Sequence, residues 1–167
     1  MIFTANKYEM CEPLAVINIG ESLMSKTKIA LASDHAGYEL KDAIKAKLEA
    51  DGYETLDLGT NGSESVDYPD YGASMGQAIQ NGDACRGVLV CGSGIGISIA
   101  ANRNPAVRAA LVQNGLAARL SRQHNDANVI ALGARLIGIE TAIDCIDNFL
   151  NTDFEGGRHQ RRVDKLG

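Results

Sequence analysis

A glycine-rich loop follows an apolar run near the middle of the chain, and a cysteine stands where the two meet. The run ends at Cys91, and Gly92, Gly94 and Gly96 alternate with other residues. Glycines let a backbone approach a ligand closely, and the free N–H groups of a following helix attract a phosphate or a developing oxyanion. A thiol beside a helix N-terminus can act as a base or a nucleophile. The alternatives are a tight turn with no ligand and a cysteine that packs as a small hydrophobic residue.

Two further segments carry groups for proton transfer. Asp34 and His35 follow the first apolar run, and His124 lies among polar residues at the end of a predicted helix. An imidazole exchanges protons near neutral pH, and Asp34 or His35 could orient or bind a substrate hydroxyl. The alternatives are that Asp34 caps the next helix and that His124 caps the last carbonyls of its own helix.

Three arginines are candidates for holding a phosphate. Arg158 and Arg162 are four residues apart and share a face if their segment is helical. Two guanidiniums on one face bind a phosphate well, and Arg135, after the last predicted strand, is the third candidate. The alternative for the pair is a solvated basic tail. The sequence shows no metal-ligand spacing of histidine, aspartate and glutamate, so we expect no catalytic metal.

The elements that must position these side chains alternate along the chain. Short apolar runs predict five buried strands, at 29–32, 55–58, 88–91, 109–112 and 129–132. The segments between them have helical periodicity, and Leu116, Ala117 and Leu120 mark the helix before the last strand. This alternation predicts an α/β fold, with a five-stranded parallel sheet covered on both faces. Ligands bind beyond the carboxyl ends of such strands, so we expect the reactive side chains to gather at one end of the sheet, with the tail.

Composition excludes several classes of function. The chain has 167 residues, which fits one domain, and its net charge of -5 disfavours a nucleic-acid partner. No apolar run is long enough to span a membrane, so we expect no membrane partner. The N-terminus lacks the pattern of a secretory signal, and the four cysteines form no CxxC pair, so we expect reduced thiols in a cytoplasmic protein. We interpret residues 1–24 as an N-terminal extension without order, ahead of a domain at 25–167.

Five segments of the chain form an ordered set of motifs. They are SDHAGYELK (33–41), DYPDYG (67–72), CGSGIGISIAANR (91–103), SRQHNDANVIALGAR (121–135) and EGGRHQRR (155–162). In this order they resemble the ribose-5-phosphate isomerases of the B type, in the group that also holds the galactose-6-phosphate isomerase subunits. The resemblance implies reversible conversion of ribose 5-phosphate to ribulose 5-phosphate with no metal and no organic cofactor. It also implies a three-layer, Rossmann-like, doubly wound fold. The expected assembly is a homodimer or homotetramer whose site lies at the subunit interface, where the histidine motif of one chain faces the cysteine loop of the other.

The resemblance also assigns roles to the candidate residues. It implies that Cys91 is the base and that His124 opens the sugar ring, and we expect Asp34 and Ser93 to assist them with hydroxyl protons. The implied substrate contacts are Asp34, His35, Gly92, Ser93, Gly94, Gly96 and Asn125, and the phosphate-side arginines are Arg135, Arg158 and Arg162. Family members without the cysteine carry a glutamate where this chain has Ile97, so the chain resembles the cysteine version.

Three other functions fit part of the pattern. One is an isomerase of a six-carbon sugar phosphate, such as allose or galactose 6-phosphate, although the intact DHAG, RQHN and GGRHQ motifs favour the pentose. Another is a flavodoxin-like or receiver-like binding module, although a receiver needs an aspartate where this chain has Cys91. The third is a cysteine hydrolase that uses Cys91 and His124 through an acyl intermediate.

Overall fold

The computed structural model describes residues 27–166 and builds them around one parallel sheet. The strands are β1 (Lys28–Ser33), β2 (Glu54–Asp57), β3 (Arg86–Cys91), β4 (Ala109–Leu111) and β5 (Val129–Gly133). The helices are α1 (Tyr38–Ala50), α2 (Tyr68–Asn81), α3 (Ile95–Ala101), α4 (Gly115–Asn125), α5 (Ile139–Leu150) and α6 (Gln160–Val163). The strand order is β2-β1-β3-β5-β4, and every pairing is parallel. The predicted five-stranded α/β fold is confirmed, whereas the prediction for residues 1–24 lies outside the described residues.

Alternating side chains divide the core between the two faces of the sheet. In β1, Ile29 and Leu31 point to one face, where they join a cluster with residues of α1, α4 and α5. Ala30 and Ala32 point to the other face and pack with residues of α2 and α3. Central strands that are buried on both faces require the continuous apolar runs seen in the sequence. Cys91 ends β3 on the face covered by α2 and α3.

Helix α4 buries a different face from the one its apolar residues suggest. Leu116 and Leu120 are 56% and 36% exposed, whereas Ala118 and Arg122 are buried. Arg122 can be buried because its guanidinium has hydrogen-bond partners. Its Nη1 donates to the carbonyl of Ala127 at 2.6 Å and to the carboxylate of Asp126 at 2.8 Å. The apolar spacing predicted the helix correctly but did not indicate its packed side.

Several large apolar side chains remain exposed near the sheet ends and on α3 and α4. They are Ile95, Ile99, Leu111, Leu116, Leu120, Leu136 and Ile139. Exposed apolar surface of this extent is typical of a protein interaction site when the side chains lie close together. None of the helices in the described part of the chain is long and apolar enough to cross a membrane.

Candidate active site

The parallel sheet has a carboxyl end and an amino end, and the two candidate proton-transfer groups lie at different ends. Cys91 pairs with Gly133 at the carboxyl end, whereas Gly87 pairs with Val129 at the amino end. Helix α4 leads into β5, so His124 lies beside the amino end, roughly 13 Å of strand away from the level of Cys91. The prediction that all reactive side chains gather at one end is therefore wrong for His124. The reason is that a crossover helix returns the chain to the amino edge before the next parallel strand begins.

A cavity of about 320 Å³ opens at the carboxyl end of the sheet, and we call it the cysteine cavity. Its lining comes from the loops after β1, β3 and β5 and from the start of α2. The lining residues are Asp34, Tyr68, Cys91, Gly92, Ser93, Gly96, Arg135 and Leu136. Six of these were predicted as site residues. The structure therefore brings together most of the predicted residues that lie in the loops after the strands.

The thiol of Cys91 sits under the glycine loop. The residue is 4% exposed, and the backbone N–H of Gly94 donates to its Sγ at 3.0 Å. Gly94 has a φ of 77°, in the left-handed region that favours glycine, and it caps α3. The loop thus does more than turn the chain, since it directs an amide at the candidate base.

The other cysteines of the described region have different surroundings. Burial, assisted by the nearby Asp144 carboxylate, raises the pKa of Cys145 to about 11, so this thiol stays protonated at neutral pH. Cys85 is disulfide-bonded, which corrects the prediction of reduced thiols for this residue, because spacing rules detect only pairs that are close in sequence. Among the described cysteines, Cys91 alone lines the cysteine cavity.

Asp34 and Ser93 combine a local structural role with a place in the cysteine cavity. Asp34 Oδ1 accepts hydrogen bonds from the N–H groups of Ala36 at 2.9 Å and Gly37 at 3.1 Å, in the turn that precedes α1. The alternative that Asp34 caps this helix is wrong, because α1 begins after Gly37 and has no side-chain cap hydrogen bond. The Ser93 Oγ accepts from the N–H of Ile95 at 3.3 Å, at the start of α3. Backbone donors hold both side chains, and such fixed groups can orient a substrate hydroxyl.

Arg135 and Tyr68 close two sides of the cysteine cavity. A β-carbon at Gly92 would lie 3.5 Å from Cζ of Arg135, so the guanidinium packs against the glycine loop. At Gly96 a β-carbon would lie 2.6 Å from the Tyr68 ring, so that ring rests directly on the backbone. Tyr68 and Leu136 were not predicted as site residues. The DYPDYG segment was a signal for Tyr68, since its proline places the tyrosine at a helix start.

Three predicted substrate contacts lie outside the cysteine cavity, namely His35, Gly94 and Asn125, of which Asn125 lines a second cavity. His35 is held by the loop before α2, where the N–H of Val66 donates to its Nδ1 at 3.2 Å. Gly94 is buried beneath the loop and is not part of the lining.

A second cavity of about 270 Å³ contains the candidates of α4 and the tail, and we call it the histidine cavity. The lining residues are His124, Asn125, His159, Arg162, Val163 and Leu166. The imidazole rings of His124 and His159 are stacked, with centroids 4.4 Å apart and planes 5° from parallel. His159 was not singled out in the sequence, although it lies in the EGGRHQRR segment. His159 and His124 are 35 positions apart in the sequence, and they meet only in the folded chain.

The two tail arginines do not share one helix. Helix α6 begins at Gln160, so Arg158 precedes it, and the condition for a common helical face is not met. Arg162 lines the histidine cavity, whereas Arg158 is exposed, and its Nε donates to Nε2 of His159 at 3.2 Å. The histidine therefore links Arg158 to the cavity.

Within residues 27–166, the side chains of His124, Glu155 and His159 form one cluster with metal-binding atom types, with ligand atoms within 4.8 Å of one another. Sequence spacing does not reveal it. Stacked, nearly parallel rings direct their nitrogen lone pairs in parallel planes, so these do not converge on one ion. The Nε2 of His159 already accepts from Arg158. The arrangement suits paired imidazoles better than a metal centre.

The fold and the cavity at its carboxyl end define an α/β protein with a thiol among backbone donors, and comparisons with known proteins extend this description. The profile of the family described as Ribose/Galactose Isomerase matches residues 29–166. The ribose-5-phosphate isomerase B of Escherichia coli (strain K12) is 46% identical over 139 residues, which cover 83% of this chain and 93% of that protein.

Solved structures agree with the sequence relatives. The ribose-5-phosphate isomerase B of Clostridium thermocellum is 51% identical with a TM-score of 0.84, covering 84% of this chain and 95% of that one. The ribose-5-phosphate isomerase B of Mycoplasma genitalium, solved with bound ribulose-5-phosphate, is 42% identical with a TM-score of 0.79, covering 84% of this chain and 93% of that one.

The chain therefore belongs to the ribose/galactose isomerase family. It is an enzyme, and its reaction is an isomerisation. The alternatives of a non-catalytic binding module and of a cysteine hydrolase are set aside by this membership.

Proposed function

We propose that the enzyme interconverts ribose 5-phosphate and ribulose 5-phosphate through an enediolate. The observation that carries this proposal is the Cys91 thiol, which lies under a loop of backbone N–H groups in a cavity that also contains Arg135. Aldose–ketose exchange needs a base beside carbon 2 and donors for the oxygen that becomes negative. The relatives from Escherichia coli and Mycoplasma genitalium, which carry the name of this activity, support the same substrate.

The proposed site is shared between two copies of the chain. In one chain the thiol lies at the carboxyl end of the sheet and His124 at the amino end, so a site that uses both needs a second chain. Exposed apolar side chains such as Ile95, Ile99 and Leu136 support burial against another copy. We therefore propose a homodimer or a homotetramer in which the histidine cavity of one copy completes the cysteine cavity of the other.

The ring-opening step is proposed for His124, because the sugar arrives mainly as a closed ring. The imidazole exchanges the proton of the ring oxygen, with help from the Asp34 carboxylate of the facing copy. Asn125 lines the same cavity as His124 and is proposed to bind a hydroxyl of the open sugar.

The isomerisation step is proposed for Cys91. The thiolate removes the proton on carbon 2, and the negative charge moves to an oxygen near the N–H groups of Gly92 and Gly96, which line the cysteine cavity. Removing one donor of this kind typically costs about 3 kcal/mol of transition-state stabilisation. Ser93 passes the proton of the carbon 2 hydroxyl to the oxygen on carbon 1, and the protonated Cys91 returns its proton to carbon 1. Atoms and charge balance without an external oxidant or cofactor.

Arginines from both cavities are proposed to hold the phosphate at the far end of the sugar. Arg162 lines the histidine cavity, Arg158 is tied to His159, and Arg135 packs against the glycine loop. Binding energy from a remote phosphate positions the reacting carbons over the base. His35 is proposed to contact the substrate, with its ring held by the N–H of Val66.

The substrate is tested with the purified protein, ribose 5-phosphate and a chelator, by following the ketose. We expect ribulose 5-phosphate to form at full rate with the chelator present, because no step uses a metal. Allose 6-phosphate and galactose 6-phosphate serve as comparison substrates. A higher kcat/KM for either six-carbon sugar would overturn the pentose assignment, and loss of turnover in the chelator would overturn the metal-free mechanism.

We also propose that the enzyme acts in the cytoplasm. Sugar phosphates are charged and do not cross membranes unaided, so an enzyme that converts them works in the compartment where they form. Fractionation with an antibody against the chain checks this, and enrichment outside the cytoplasmic fraction contradicts it.

A further inference from the structure

We propose that His159 is a positioning residue that holds two groups of the site at once, the imidazole of His124 and the guanidinium of Arg158. The inference rests on the proposed function, since that function assigns His124 to ring opening and Arg158 to the phosphate. The proposed reaction gives the proton transfer to His124 and assigns no role to His159, whose ring is 5% exposed in the lining of the same cavity.

The first link is the stack between the two imidazoles. The ring planes are 5° from parallel, and His159 is only 5% exposed, so its ring cannot swing away without displacing its neighbours. Its backbone is held on both sides. The N–H donates to the carbonyl of Gly156 at 2.9 Å, and its own carbonyl accepts from Arg162 at 2.9 Å and Val163 at 3.0 Å. A fixed flat surface against the His124 ring therefore hinders rotation of that ring about its Cβ–Cγ bond.

The second link is the hydrogen bond from Arg158 to Nε2 of His159, at 3.2 Å. This nitrogen can accept only when it carries no proton, so the contact requires the neutral ring. The surroundings act in the same direction. Burial lowers the pKa of His159, and the nearby His124, Arg158 and Arg162 lower it further, against a smaller opposing effect of Glu155. A neutral His159 therefore orients a guanidinium that would otherwise move freely in solvent.

Two substitutions separate these links. His159→Phe keeps a flat ring against His124 but removes the acceptor for Arg158. His159→Gln removes the ring but keeps an acceptor near the position of Nε2. We expect the phenylalanine variant to raise KM for ribose 5-phosphate about 10-fold with kcat little changed. The glutamine variant should lower kcat about 10-fold or more with KM little changed, because a loosely held His124 is misplaced for proton transfer.

A spectroscopic measurement provides a readout that does not depend on turnover. Ring-current shifts of the His124 ring protons, followed by NMR, should persist in His159→Phe and disappear in His159→Gln. Gln160→Ala is the matched control, since this exposed neighbour touches neither group, and its kcat, KM and NMR shifts should equal those of the original protein.

The outcomes distinguish the two proposals. If the unmodified protein does not convert ribose 5-phosphate, the proposed function fails, while the NMR comparison still tests the stack. If it does convert the sugar, and both variants change kcat and KM in the same way or change neither, the positioning role is overturned. Thermal unfolding of each variant checks that the fold is kept.

Discussion

At the scale of the residue, the two free, buried thiols of the described chain differ only in their surroundings. Cys145 lies in the apolar core, where burial raises its pKa to about 11. Cys91 ends a strand, accepts an N–H from Gly94 and lines a cavity. Both thiols are free and buried, but of the two only Cys91 lies in the lining of a cavity, which is why the chemistry is proposed for it.

Cys91→Ala tests the proposed base. We expect kcat to fall by about 10²–10⁴-fold, because general base catalysis typically contributes that much. Substrate binding and the fold should be kept. The direct measurement is exchange of the carbon 2 proton of ribose 5-phosphate into deuterated water. Cys145→Ala is the matched control for removing a buried sulfur, and exchange at the normal rate in Cys91→Ala would refute the assignment.

Arg162→Ala tests the phosphate contact. A charge-assisted hydrogen bond contributes about 1.5–3 kcal/mol, so we expect KM to rise roughly 10- to 100-fold with a smaller change in kcat. Arg161→Ala is the control, because it removes the same charge from the neighbouring position, which does not line the histidine cavity. Equal effects of the two substitutions would show that only the net charge of the tail matters.

At the scale of the element, a buried ion pair fastens α1 to the end of β2. Lys41 is fully buried, and its Nζ donates to Asp57 at 2.6 Å and to Asn61 at 3.3 Å. Asp57 also accepts from the N–H of Gly59 at 3.0 Å, and the carbonyl of Gly59 accepts from Ser33 at 2.7 Å. The pair therefore holds the loop that borders Asp34 in the cysteine cavity.

Asp57→Asn should destabilise the fold by about 3 kcal/mol, because it leaves a buried ammonium without its charge partner. Chemical denaturation measures this. Asp42→Asn is the control, since Asp42 contacts the same Nζ at 3.4 Å but is about half exposed, and its loss should cost under about 1 kcal/mol. If both variants lose the same free energy of unfolding, the burial of Asp57 does not strengthen its ion pair with Lys41.

The same pair predicts how stability depends on pH. Burial raises the pKa of Asp57, but hydrogen bonds from Lys41, Gly59 and Lys45 outweigh it and hold the pKa below the ordinary 3.8. A lowered carboxyl pKa contributes stability that is complete above about pH 4 and is lost as the pH falls through the folded-state value. In Asp57→Asn the free energy of unfolding should therefore fall less steeply as the pH drops below about 4. If it falls as steeply as in the original protein, other carboxylates cause the loss of stability in acid.

The elements were more predictable from the sequence than the site was. All five strands appear where the apolar runs predict them, because strands buried on both faces need such runs. The packed side of α4 was not predictable, since Arg122 is buried through hydrogen bonds that depend on the chain beyond α4. The stack of His124 on His159 joins segments that no local pattern relates.

At the scale of the whole molecule, the opposite placement of Cys91 and His124 makes a direct test of the shared site possible. Cys91→Ala and His124→Asn should each be nearly inactive alone. Mixed in equal amounts with exchange of subunits, half of the dimers are mixed, and each mixed dimer has one intact site and one with both substitutions. About a quarter of the original activity should therefore return. No gain over the separate variants would place the site within one chain.

Because Cys91 and His124 lie at opposite ends of the sheet, the activity per chain should depend on the enzyme concentration. A two-fold pairing that joins the thiol of one copy to the imidazole of the other necessarily builds the twin site as well. Turnover per chain should then decline on dilution as pairs separate. Saturating sugar phosphate, which would contact both partners in the proposed shared site, should resist that decline by mass action.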